Sequence, residues 1–298
     1  MTPTGPPDRV VEPDGNEEAE LMEAGDVVVG VDGSGPSREA LRWAAEEARR
    51  SGGQVHVVVA YADQAGAGAP PPTAGVPHLT HAQAAAVVDE AVAEVRTAAP
   101  GTGAVGTAVP GAAAAALLNA AEKARLVVVG HRGQGGFASL PLGSVSLRIA
   151  THAPCPVAVV RGEARPADPV VMAVNGSRSA TLVIPEGFAQ AAARGCGLVA
   201  ARVFPRTTAR YDREERRAEL VGSVAPWRRH YPQVAVEYVL LEGSPTGYLT
   251  HLSYRAQLIV LGSRGSHGFT GLLLGSTTQH LIHNSGCPVL IARARHHG

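Results

Sequence analysis

The sequence predicts an α/β protein built from two tandem, doubly wound, mainly parallel five-stranded sheets. Three observations carry that prediction. Short aliphatic runs such as "VVVGV" and "LVVVG" lack polar alternation, as strands buried on both faces do. Longer amphipathic stretches separate them and supply the crossovers that parallel strands need. The chain also repeats itself. A shift of 132 residues lays Arg125–Gly133 on Gln257–Gly265, Gly143-Ser144 on Gly275-Ser276, Cys155-Pro156-Val157 on Cys287-Pro288-Val289, and Arg161 on Arg293. A shift of 143 lays Asp26–Ser34 on Pro169–Ser177.

In the first copy, strands are expected at Asp26–Val31, Gln54–Tyr61, Thr102–Val109, Leu126–Gly130 and Val157–Val160. Helices are expected at Ser37–Arg50, Thr80–Ala98, Ala112–Ala124 and Gly143–Thr151. The 11-residue difference between the two shifts is assigned to Ala62–Gln83, whose Ala, Gly and Pro content marks a long loop. The second copy should repeat the order, with one exception. Pro185 and Gly187 fall where the first copy reads "REALRWAAEEA", so that helix is expected to be shortened, kinked or restarted. Strand five, "CPVAVVR" and "CPVLIAR", should lie at an edge of each sheet. The chain divides on this reading into a disordered tail (1–24), a first domain (25–162), a linker (163–168), a second domain (169–294) and a C-terminal tail (295–298).

Composition excludes several function classes. Lys plus Arg and Asp plus Glu each number 26 in 298 residues, so no net field attracts nucleic acid or acidic lipid. Lys123 is the sole lysine, which removes any lysine-dependent phosphate loop. Cys155, Cys196 and Cys287 are too few and too separated for a disulfide framework or a metal site, and no long apolar run or leader pattern stands out, so a cytoplasmic setting is expected. His152, His280 and His283 are too scattered to gather a metal. His131 and His267 read as solvated loop residues, since His131 aligns with Ser263.

The chemistry-bearing feature is a spacing present twice. Gly130 and Gly133 follow a buried strand, and Gly143-Ser144 opens a helix; Gly262, Gly265 and Gly275-Ser276 repeat it. Glycine lets backbone amides come near a ligand without a Cβ between them, and a helix N-terminus favours an anion. Hydroxyls at Ser144, Ser146, Ser276 and Thr278 could add donors. The bland alternative is that the glycines serve strand–helix packing and the hydroxyls cap helices.

The pattern G-x-x-G, nine residues, then G-S/T resembles the ATP-binding signature of the universal stress proteins. The "VDGS" near Val31, the "HAPCPV" and "NSGCPV" segments and the tandem arrangement resemble that family too. The resemblance spans residues 26 to 294. It implies a Rossmann-like fold of adenine-nucleotide-binding type, with ATP as ligand and magnesium as its accompanying ion. It places Val31 and Asp32 at the adenosine, Ala60 at the adenine edge, and Val129, Gly130, Arg132 and Gly133 along ribose and phosphate. Gly143, Ser144, Val145 and Ser146 would hold the phosphates. The second copy supplies Asn175, Val203, Leu261, Gly262, Arg264, Gly265, Gly275, Ser276, Thr277 and Thr278.

Asn175 stands where the first copy has Asp32, so the first site is expected to be the stronger. Asp32 reads equally well as a turn or cap residue in "DGSGPS". A regulatory stress-response protein controlled by nucleotide occupancy is favoured; a slow ATP hydrolase and a nucleotide-independent scaffold stay open. No acid–base constellation accompanies the loops, so binding is favoured over catalysis. The two halves should pair as an internal pseudo-dimer, with homodimerisation and a protein partner left open.

Overall fold

The computed structural model describes residues 26–62, 79–134, 142–163, 165–175, 180–204, 213–263 and 274–294. The expected tails, most of the long first-copy loop, Arg264, Gly265 and His267 lie outside the described residues. The first half runs β1 (Val27–Gly30), α1 (Gly35–Ser51), β2 (Val55–Tyr61), α2 (His81–Ala98), β3 (Ala104–Pro110), α3 (Ala113–Ala121), β4 (Leu126–Gly130), α4 (Ser144–His152) and β5 (Val157–Val160). The second runs β6 (Val170–Ala173), α5 (Ala180–Arg194), β7 (Leu198–Phe204), α6 (Arg213–His230), β8 (Val236–Glu242), α7 (Pro245–Ser253), β9 (Leu258–Gly262), α8 (Ser276–Asn284) and β10 (Val289–Ala292).

Local chemistry sets the helix limits. Ser34 caps α1 by accepting from the Ser37 amide, Pro36 occupies its first turn, and Gly52, at φ 71°, ends it in the left-handed region. Thr80 and Gln83 form a reciprocal capping box at the start of α2. The interruption expected at Pro185 is absent: α5 is continuous from Ala180 to Arg194. Thr181, four residues before the proline, is exposed, so the place where proline cannot donate its bond lies on the solvated side of the helix. Packing holds the rest of the helix, with Val183, Ile184 and Phe188 buried. Gly187 has its own reason, since a Cβ there would sit 2.9 Å from the Met172 sulfur. Met172 and Gly187 align with Val29 and Ala44 of the first copy, so the second copy has a larger strand residue and a smaller helix residue at these places.

Each half orders its strands 3-2-1-4-5, all parallel, and the halves share one 10-stranded sheet, β3-β2-β1-β4-β5-β10-β9-β6-β7-β8. The seam is antiparallel: Val157 faces Ile291, Ala158 faces Leu290 and Val159 faces Val289. Ala158 and Leu290 are repeat mates, so a pseudo-twofold axis passes through that pair. The strands of the two halves therefore point in opposite directions, and their carboxyl ends lie on opposite rims of the sheet. One continuous core lies beneath α1, α2, α5 and α6, and a second beneath α3, α4, α7 and α8; each includes residues of both halves.

A polar lock crosses the first of these cores. Glu47, 2% exposed, meets Arg194, 3% exposed, at 2.8 Å. Gln190 donates to the other Glu47 oxygen at 2.9 Å, and Arg125 approaches it at 3.5 Å. Burial pushes the Glu47 carboxyl up. The charge of Arg194, the Gln190 hydrogen bond and the charge of Arg125 outweigh burial and hold it below its ordinary value. Gln190 is the repeat mate of Glu47, so the two faces meet as an unlike pair.

Candidate functional site

The order 3-2-1-4-5 puts the topological switch of the first half between β1 and β4, and that of the second between β6 and β9. Crevices at such points, beyond the carboxyl strand ends, are where open α/β sheets take ligands. Val31 leaves β1 buried, its amide donating to the Val58 carbonyl at 3.0 Å. Asp32 follows, half-buried. Ala60 and Val203 lie half-buried near the carboxyl ends of β2 and β7, at matching places in the two halves. Val129 and Gly130 are buried at the end of β4, and Leu261 and Gly262 at the end of β9.

Asp32 is latched to the glycine loop. Its Oδ1 accepts from the Ser34 amide at 3.0 Å and its Oδ2 from the Gln134 amide at 2.8 Å. The Gln134 side chain returns a bond to the Asp32 carbonyl at 2.5 Å, and the buried Ser37 hydroxyl accepts from the Asp32 amide at 3.3 Å. The turn role read from "DGSGPS" is therefore present, and the carboxylate also ties the end of β1 to a loop 102 residues away. Asn175 occupies the matching place, half-buried, behind Val174, whose amide donates to Ala201 at 2.8 Å.

The three first-half glycines have different jobs. A Cβ on Gly130 would lie 2.6 Å from the Pro36 carbonyl oxygen, so this residue lets α1 cross β4 closely. On Gly133 it would lie 2.3 Å from Asp32 Oδ2, inside the latch. On Gly143 its nearest neighbour would be the Arg132 Cα at 3.6 Å, an ordinary contact, and the φ of −76° suits any residue. Packing thus accounts for two glycines and leaves the third unexplained.

Gly143 is the N-cap of α4, and no side chain caps that helix. Its amide donates to the His131 carbonyl at 2.8 Å and its carbonyl accepts from Leu147 at 3.0 Å. The amides of Ser144, Val145 and Ser146 follow in the first turn, where helical geometry offers them no partner. Ser144 is exposed and Val145 half-buried. The Ser146 hydroxyl is buried and donates to the Gly130 carbonyl at 2.6 Å, so it braces the strand end, and what this residue offers outward is its amide. The second half repeats the arrangement. Gly275 caps α8, its amide bonds Ser263 at 2.9 Å, and the buried Thr278 hydroxyl bonds the Gly262 carbonyl at 2.8 Å. Ser276 is exposed and Thr277 half-buried.

The first site is cationic. Arg132 keeps a buried Nε without a hydrogen-bond partner, and its backbone lies beside Gly143. Burial and the nearby charge of Arg161 hold His131 below its ordinary pKa, against a bond from its Nδ1 to the Val160 carbonyl at 3.3 Å. A neutral imidazole adds no charge there, in keeping with Ser263 at the matching position. An orphaned guanidinium nitrogen and an uncapped helix start suit an anionic group. Among the described residues, no cluster of three His, Cys, Asp or Glu could hold a metal ion, and no helix is long and apolar enough to cross a membrane.

Sequence reasoning missed Gln134, which carries no signal of its own, and Arg161 and Arg293, whose repetition at the shared spacing was visible but unused. Arg161 donates to the Ile282 carbonyl at 2.9 Å, and Arg293 donates to the carbonyls of Ala150 and Ala153.

A family model described as the universal stress protein family matches the chain twice, over residues 24–161 and 166–293. A universal stress protein of Mycobacterium tuberculosis is 32% identical over 90% of this chain and 94% of its own length. One from Mycolicibacterium smegmatis is also 32% identical, over 90% of this chain and 97% of its own length. The crystal structure of a universal stress protein from Archaeoglobus fulgidus superposes with a TM-score of 0.70 at 18% identity, over 91% of this chain and 99% of that one.

Proposed function

The chain belongs to the universal stress protein family, and from that premise we propose that it is an ATP-binding regulatory protein of the stress response, acting in the cytoplasm. Residues 25–162 and 169–294 each form one nucleotide-binding half, joined by 163–168. Nucleotide occupancy of the glycine-rich loops controls conformation and hence what partners see. The observation that carries this reading is Gly143 at the start of an uncapped α4. It presents the Ser144, Val145 and Ser146 amides at the switch crevice, and packing does not require its glycine.

In this reading Arg132 and those amides hold the phosphates, Val31, Asp32 and Ala60 line the adenosine, and Val129, Gly130 and Gly133 shape the floor between them. Asn175, Val203, Leu261, Gly262, Arg264, Gly265, Gly275, Ser276, Thr277 and Thr278 do the same in the second half. A magnesium ion accompanying ATP would shield the phosphate charge. The residues around it bind and orient. A nucleotide-independent scaffold is the second reading, favoured by the packing roles of Gly130 and Gly133.

The test is to release bound small molecules from the purified protein by heat or acid and identify them, then titrate ATP by calorimetry. Wild type should carry or bind an adenine nucleotide, with Gly143→Glu and Gly275→Glu each removing one site. A wild-type chain that neither carries nor binds one sinks the reading. Turnover at saturating ATP and magnesium should match buffer; measurable hydrolysis would instead make the protein an enzyme.

A further inference from the structure

We propose that Arg161 and Arg293 are positioning residues that tie each half's candidate phosphate helix to the other half, so that the two sites are coupled. The proposal rests on the nucleotide reading above. Its geometric basis is a matched pair of contacts. Arg161, just past β5 in the first half, donates through Nη1 to the Ile282 carbonyl in the last turn of α8. Arg293, just past β10 in the second half, donates to the Ala150 carbonyl in the last turn of α4, and to Ala153 at 2.5 Å. The shift of 132 residues that relates Arg161 to Arg293 also relates Ala150 to Ile282. The pair therefore obeys the pseudo-twofold axis of the seam, and each arginine acts on the helix of the opposite half.

The carbonyls concerned belong to the last turn, where a helix has no internal donors left. The Ile149 and Leu281 carbonyls already accept from Ala153 and Ser285, and the arginines take the next carbonyl along. A cation at this end also complements the helix dipole. Both helices have nine residues, so a shift at the last turn is carried directly to the amides of the first.

The opposed rims explain why the contact links two sites. The N-terminus of α8 lies on the rim of the second half, so its C-terminus reaches the rim of the first. There Arg161 stands beside the glycine loop that carries His131 and Arg132. Its charge bears on both of those residues and on His283 of α8. An anion taken up beside Arg132 thus meets a guanidinium that also holds α8, and Arg293 occupies the pseudo-twofold-related position for α4. Coupling of this kind is reciprocal.

The full-length chain tests the proposal in single-site backgrounds, with ATP as the probe. In Gly275→Glu, which keeps the first site, adding Arg293→Gln should weaken ATP binding about tenfold, as loss of a charged hydrogen bond does. Arg293→Lys should restore most of that affinity. In Gly143→Glu, Arg161→Gln and Arg161→Lys should act alike on the second site. Affinity within about twofold of the parent in both backgrounds overturns the proposal. So does a loss that Lys fails to restore and that merely tracks a lower unfolding midpoint. If neither parent binds ATP, the nucleotide reading fails by itself, and amide hydrogen exchange decides the anchoring. Arg293→Gln should then speed exchange in α4 and leave α8 unchanged; equal protection in both refutes the anchor.

Discussion

Replacing Gly143 and Gly130 separately by alanine separates ligand demand from packing demand. At Gly143 the added methyl meets nothing closer than 3.6 Å and the backbone angles are ordinary. An N-cap glycine replaced by alanine should cost about 0.5–1 kcal/mol at most. At Gly130 the methyl falls 2.6 Å from the Pro36 carbonyl oxygen and 2.7 Å from its carbon, both backbone atoms that cannot rotate away. Either β4 or the start of α1 must shift, which in a packed interior costs about 1–3 kcal/mol or more. For binding the order reverses. A methyl at Gly143 stands in front of the amides proposed to meet phosphate and should weaken ATP binding at the first site by roughly tenfold or more. Denaturant unfolding and calorimetric titration of both full-length variants supply the numbers. A Gly143→Ala chain with wild-type affinity would show that no phosphate sits at α4. A Gly130→Ala chain as stable as wild type would remove the packing account.

Three further expectations follow from the same geometry. Asp32→Asn keeps an acceptor for the Ser34 amide but loses the charge and the second acceptor that holds the Gln134 amide, so a two-site ATP isotherm should lose its stronger component and approach equal sites; an unchanged isotherm would mean that neither the charge nor the latch bears on binding. Glu47 is held below its ordinary pKa of 4.5, so its contribution to stability is complete above that value and is lost as pH falls toward the lower folded value. Unfolding free energy should therefore drop on acidification below about pH 4.5, and Glu47→Gln should flatten that part of the profile. Cys287 is buried and its thiol is pushed up to about 12 by burial, against a hydrogen bond from Ser285. Iodoacetamide at neutral pH should label it only after denaturation, and rapid native labelling would contradict the burial.

Much of the fold was legible because its strands are buried on both faces and so read as unbroken aliphatic runs. The β4 strand, "LVVVG", was placed to the residue, and α4 began one residue after its expected start. Pro185 misled, because helix propensity is a local quantity and α5 is held by Phe188 and its neighbours against the sheet. The site divided along the same line. The spacing of glycines was visible, but whether a glycine faces a ligand or another backbone depends on contacts across the chain. Gly130 meets Pro36, and Gly133 meets Asp32, about a hundred residues earlier. The Asp32–Gln134 latch left no mark, since neither residue type nor their separation forms a pattern.

The unlike pairing of Glu47 with Gln190 bears on which halves can keep company. Two first halves brought together along this seam would set Glu47 against Glu47, and two second halves would set Gln190 against Gln190, so neither would form the buried Glu47–Arg194 pair. Divergence after duplication has thus fitted this part of the seam to unlike halves. The link through residues 163–168 reinforces the choice by keeping the right sibling at an effective concentration on the order of millimolar, whatever the abundance of the protein. A pair of separate chains would dilute apart when expression is low; this one arrives already assembled.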